Sequence, residues 1–78
     1  MKVMTCKQLG GACDLPFRAS TFEEIAELSK LHGMEMFKAQ DPEHMEAMQK
    51  MQKLMQFPED MKRWQDARRR EFEALPDE

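Results

Sequence analysis

Tyrosine is absent, tryptophan occurs once, as Trp64, and only two cysteines, Cys6 and Cys13, are found in 78 residues. Two cysteines are too few for the disulfide framework that holds small secreted domains together. No apolar run is long enough to span a bilayer, and Met1 to Gly10 lacks the apolar core of a secretory leader. These absences predict a soluble cytoplasmic protein with free thiols and no membrane partner. A phosphate-binding glycine loop and a His-Glu-x-x-His pair are also missing. A chain this short has little room for a substrate pocket, so a non-enzymatic role is expected. There is no basic surplus either: 15 acids against 12 Lys and Arg leave a net charge of −3, which argues against nucleic acid as a partner. The one basic run, Arg68-Arg69-Arg70, is flanked by acids and reads as complementing a helix C-terminus.

What is abundant is methionine, with nine residues. Methionine fills irregular cores and also suits adaptable binding surfaces. A single domain of this size buries a modest core and usually needs help from a disulfide, a metal or a partner chain. With a disulfide framework disfavoured, a metal or self-association is left.

The expected fold class is α+β, a small N-terminal β-hairpin followed by two or three amphipathic helices. The hairpin is expected over about residues 2–18, with Gly10-Gly11 as a two-residue turn. That turn pairs residues whose numbers sum to 21, setting Met4 against Phe17, Cys6 against Leu15 and Gln8 against Cys13. Met4, Cys6, Cys13, Leu15 and Phe17 then share one apolar face, while Lys7 and Asp14 form a charge pair on the other. Pro16 lacks an N–H and leaves an open edge or a bulge.

Helices are expected over about residues 21–39, 42–56 and 58–75. Thr21-Phe-Glu-Glu24 is a capping box, followed by Phe22, Ile25, Leu28, His32 and Met36 at helical spacing. Gly33 interrupts that stripe and marks a kink, a close contact or an early end near Leu31. Asp41-Pro42-Glu43 is a second start signal, with Asp as N-cap and Pro at the first helical position. Met45, Met48, Met51, Leu54 and Met55 form the stripe of this helix. Phe57-Pro58 stops or kinks it, and Met61, Trp64, Arg68, Phe72 and Leu75 continue at spacings of three and four.

The segment Cys6-Lys-Gln-Leu-Gly-Gly-Ala-Cys13-Asp14, with Thr21-Phe-Glu-Glu24 and His32, resembles a family of small prokaryotic proteins. That family is catalogued as a domain of unknown function, number ten fifty-nine in its series. The resemblance spans the N-terminal half and implies a hairpin-plus-helix unit in which two cysteines, the second followed by Asp, meet a helix carrying His. It implies no activity. The family's second histidine, about one turn further along, has no counterpart in Gly33-Met-Glu-Met-Phe37.

Three chemistries follow from the residues themselves. Cys6 and Cys13 on one hairpin face, with His32 on the helix that packs there, are candidate metal ligands for Zn, with water, Asp14 or His44 as the fourth. A thioether from Met34 or Met36 would favour Cu instead. The Cys-x6-Cys spacing is wider than that of a zinc knuckle, and buried apolar thiols beside a core histidine are the plainer alternative. Cys6 and Cys13 are also diagonal neighbours that a relaxed hairpin could oxidise, giving a thiol-redox role. Third, Met45, Met48, Met51 and Met55 lie on one helix face, either as core or as a surface shared with a second copy or another protein. The expected function is therefore a non-enzymatic interaction module that self-associates through Met-rich apolar surface. The alternative is a small metal-binding or thiol-redox protein using Cys6, Cys13 and His32.

Overall fold

The computed structural model describes residues 1–78. It is an α+β fold: a two-stranded antiparallel hairpin followed by three helices. Strand β1 spans Lys2–Thr5 and β2 spans Pro16–Ala19. Helices α1, α2 and α3 span Phe22–Ala39, Pro42–Leu54 and Pro58–Ala74. No helix is long and apolar enough to cross a membrane.

The strand register agrees with the sequence: Lys2 pairs with Ala19, Val3 with Arg18, Met4 with Phe17 and Thr5 with Pro16. Met4, Phe17 and Ala19 alternate inward and are buried. The connection is different from the expected two-residue turn. After Thr5 the chain winds into a 3-10 turn at Lys7–Leu9, ended by Gly10 at φ 94°, a left-handed conformation that favours glycine. The Cys6 carbonyl accepts from the amides of Leu9 and Gly11 at 3.0 and 2.8 Å. The Cys6 amide donates to the Leu15 carbonyl and the Lys7 amide to the Cys13 carbonyl, both at 2.9 Å. So Gln8 does not oppose Cys13, and Leu15, past the end of the ladder, is exposed rather than part of the apolar face.

Helix α1 starts where the capping box places it. Thr21 Oγ1 accepts from the Glu24 amide at 3.2 Å, and the Thr21 hydroxyl donates to Glu24 Oε1 at 3.1 Å. The helix runs unbroken through Gly33, which lies 4.0 Å, measured from its missing Cβ, from the Met48 methyl. That is an ordinary contact with room for a methyl, so Gly33 marks neither a kink, a helix end nor a tight approach between helices. Helix α2 ends before Met55, and α3 begins at Pro58, so the second and third helices are separate.

The core is small. Met4, Phe17 and Ala19 meet Phe22 and Ile25 of α1, Phe72 of α3, and Cys6 and Leu9 from the 3-10 turn. Phe72 packs edge-on against Phe22 at 6.1 Å between centroids. Each such aliphatic or aromatic side chain contributes about 1.5–3 kcal/mol when fully buried. Only nine of the 78 residues are buried, so the apolar core alone stabilises the chain weakly.

Outside the core, Arg69 joins α3 to the start of α1 through Glu23 at 2.7 Å, and Arg68 pairs with Glu71 at 2.8 Å. The last turn of α3 holds no basic residue, so the run does not complement a helix end; Arg69 links α3 to α1, while Arg68 pairs within α3. The stripe expected on α3 faces inward along most of its length: Phe72 is buried, Trp64, Arg68 and Leu75 are half-buried with Leu75 packed against the core, and Met61 is exposed.

Candidate metal centre

Four side chains from four parts of the chain converge beside the core. Cys6 enters from the end of β1, Cys13 from the loop before β2, His32 from the middle of α1 and His44 from the first turn of α2. One ligand atom from each, two sulfurs and two ring nitrogens, lies within 4.8 Å of all the others. Cys13 Sγ is 3.3 Å from His32 Nε2, and Cys6 Sγ is 3.7 Å from His44 Nε2.

Local structure explains each placement. The 3-10 turn and the left-handed Gly10 fold six intervening residues back, so that Cys6 and Cys13 face each other despite their wide spacing. Gly11 sits directly on the Cys6 sulfur, where a Cβ would overlap it. The His32 ring stands edge-on to Phe17 at 5.8 Å and to His44 at 5.2 Å, which fixes its direction. His44 is buried, 6% exposed. Its Nδ1 lies 2.6 Å from Asp41 Oδ2, and the same oxygen accepts the His44 backbone amide at 3.0 Å. With Nδ1–H donated to Asp41, Nε2 presents its lone pair to the sulfurs.

The electrostatics follow from this geometry. The Asp41 carboxylate raises the pKa of His44, against the opposing effect of burial, and the Cys13 sulfur adds to the rise. Asp41 in turn is lowered by its hydrogen bonds to His44. Burial pushes the Cys6 thiol up, with its neighbour Cys13 adding to the shift and backbone amides opposing it. Burial also opposes ionisation of Cys13, but the Leu15 amide, His44 and Cys6 outweigh it, and its pKa falls. The two thiols are thus unequal, and Cys13 is the one inclined to the thiolate, the form that ligates metals.

Such a donor set can hold a metal ion. A tetrahedral zinc ion with Zn–S near 2.3 Å and Zn–N near 2.0–2.1 Å separates its ligand atoms by about 3.3–3.8 Å. The two measured contacts, 3.3 and 3.7 Å, already lie in that range. Two thiolates would neutralise a divalent charge, and Asp41 behind His44 forms the carboxylate–histidine arrangement that supports ligating imidazoles.

The structure brings together Cys6, Cys13 and His32 and adds His44, one of three candidates for the fourth position. Asp14, another of the three, is exposed and outside the cluster. Met34 is half exposed and Met36 half-buried on α1, and neither residue belongs to the cluster. Asp41 was legible as a helix cap, but its second role was not. The signal was present in Asp41-Pro-Glu-His44: an N-cap and the residue three positions on share the first turn of a helix.

Met45, Met48, Met51 and Met55 are half-buried and lie outside the core cluster. They line an open groove of about 900 Å³ beside the four ligands, with Cys6, His32 and His44 in its wall.

The fold and the site together define a small α+β protein with a candidate Cys2His2 metal centre. Compared with protein-family models, curated proteins and solved structures, the chain matches none. The N-terminal resemblance to the domain of unknown function is therefore not upheld, because no family model matches any part of the chain. The residues behind it are ones that local chemistry demands: glycines for a tight loop, Thr and Glu for a helix start, and thiols with an imidazole on one face.

Proposed function

We propose that this protein is a small metal-binding protein that holds Zn2+ in a tetrahedral site of Cys6, Cys13, His32 and His44. The observation that carries this reading is the mutual approach, within 4.8 Å, of four ligand atoms from segments far apart in sequence. All four positions are taken by protein atoms, the pattern of sites that stabilise a fold rather than keep a position open for substrate. The ion would tie β1, the hairpin loop, α1 and α2 together, reinforcing a core of few buried residues. Cobalt substitution tests the reading. Co2+ added to the reduced protein should give the visible bands of a tetrahedral thiolate–imidazole site and should be displaced by Zn2+. An octahedral spectrum without sulfur-to-metal charge transfer would contradict it.

Self-association is a second reading, favoured by apolar residues left in solvent. Leu31 and Met34 of α1 are 49% and 50% exposed, and Phe57 before α3 is 62% exposed. Sedimentation equilibrium decides it: a dimer that dissociates on Leu31→Glu substitution supports the reading, and a monomer at all concentrations opposes it.

A further inference from the structure

The groove beside the Cys–His cluster has a chemistry that a tetrahedral zinc site leaves unused. Five of the nine methionines line it: Met45, Met48, Met51, Met55 and Met61. None of them is in the core cluster. In a chain with 35% charged residues, no Asp, Glu, Lys or Arg lines this groove. Every large apolar residue that α2 turns to the groove is methionine, while its single leucine, Leu54, is 54% exposed. Leucine fills an apolar groove with less freedom to lose. What methionine adds is a thioether sulfur, a neutral, soft donor.

Helical spacing also groups three of them. Met48, Met51 and Met55 follow at spacings of three and four, so they fall on one helical face about a turn apart. Met51 Sδ lies 2.7 Å from the point a Cβ on Gly10 would occupy, against the loop that joins Cys6 to Cys13. The Met48 methyl reaches the corresponding point on Gly33, next to His32, at 4.0 Å. The Met51 sulfur thus lies against the loop that carries the cysteines, with Met48 and Met55 in the same groove about a turn to either side. Hard cations require carboxylate or carbonyl oxygens with charge to match. A charge-free groove whose lining sets five thioethers beside neutral glutamine amides instead suits a soft monovalent ion.

We propose that this groove is a second metal site, which takes Cu(I) on the thioethers of Met48, Met51 and Met55. The ion enters and leaves as Cu(I), exchanging the ligands of its carrier for thioether sulfur, with no change of oxidation state and no proton released. The site rests on the groove residues alone and does not require that zinc occupy the neighbouring cluster.

The test compares the wild-type protein with a Met48→Leu, Met51→Leu, Met55→Leu triple variant. Leucine keeps the size and apolar character of the groove and removes the sulfur, so an apolar partner would be indifferent to the change and Cu(I) would not. Zinc-loaded protein is titrated anaerobically with Cu(I) against a chromophoric Cu(I) chelator, while a zinc dye reports release. The wild type should take up about one Cu(I) beyond its zinc and keep the zinc, and the variant should lose that uptake at unchanged zinc content. Equal uptake by both proteins, or uptake only in step with zinc release, overturns the proposal. If the wild type holds no zinc, the titration is run on the metal-free pair: greater uptake by the wild type supports the site, and equal uptake overturns it. Should the triple variant misfold, the methionine methyl resonances of the wild type on addition of Ag(I) decide instead. Shifts at Met48, Met51 and Met55 support the site, and their absence overturns it.

Discussion

Asp41 Oδ2 accepts two hydrogen bonds from His44, one from the backbone amide at 3.0 Å and one from ring Nδ1 at 2.6 Å. One carboxylate oxygen thus starts helix α2 and aims a candidate ligand. Helix capping and the orientation of a candidate ligand are coupled through a single side chain, which makes Asp41 a positioning residue for the proposed metal centre.

Two substitutions separate those roles. Asp41→Asn keeps an N-cap oxygen, because Asn caps about as well as Asp. It loses the carboxylate that holds the His44 tautomer, so zinc affinity should fall by about 10–100-fold with little loss of metal-free stability. Asp41→Ala should lose the same affinity and also about 1 kcal/mol of stability. Zinc competition and thermal unfolding of the metal-free variants check both. Unchanged zinc affinity in Asp41→Asn would contradict the orienting role.

Gly11→Ala should be worse for metal than for folding. The added methyl would overlap the Cys6 sulfur and press on its carbonyl, 3.1 Å from the Cβ position. Cys6 must then move, while the strands and helices make no use of this position. The expected result is weakened zinc binding with the helical circular-dichroism signal retained.

Ile25→Ala should remove about 2–5 kcal/mol, because Ile25 is fully buried where α1 meets the hairpin and its loss leaves a cavity. For a core this small that is a large share of the total. The metal-free variant should be largely unfolded, and zinc should restore structure by binding only the folded form. Circular dichroism with and without zinc reads both states.

The Glu23–Arg69 pair sets a pH dependence. Arg69 beside it lowers the pKa of Glu23 in the folded chain. A lowered carboxylate contributes stability that is fully present above its unfolded pKa, near 4, and is lost as pH falls through the folded value. Arg69 stays charged throughout. The pair is exposed, so the effect is small. Wild type should exceed Glu23→Gln in melting temperature at neutral pH, and the gap should close in acid below the ordinary glutamate range.

Much of this fold was legible because it rests on local signals. Thr21 with Glu24, and Asp41 with Pro42, mark helix starts through side-chain chemistry that acts within one turn. The register of Met4 against Phe17 follows from alternating polarity. The hairpin connection was not legible. Gly10-Gly11 satisfies a two-residue turn as well as it satisfies a 3-10 turn with a glycine end, and the choice between them is made by packing. The same packing explains the ligand set. A spacing of six between Cys6 and Cys13 discourages a zinc reading only while the connection is imagined as extended. His44 needed α2 to fold back onto α1, which no local pattern announces. The methionines of α2 were readable as one face, but whether that face is filled or open depends on how α3 leaves it.

The most direct test of the metal centre is the zinc stoichiometry and affinity of the wild type and of His44→Ala, measured by native mass spectrometry and chelator competition on reduced, tag-free protein. His44 is the candidate ligand furthest in sequence from Cys6, and it reaches the sulfurs only because α2 folds back onto α1. The account predicts one tightly held zinc in the wild type, weakened by orders of magnitude in His44→Ala, with metal-free secondary structure shared by both. A wild type that binds no zinc, or a His44→Ala variant that binds it as well as the wild type, would contradict it.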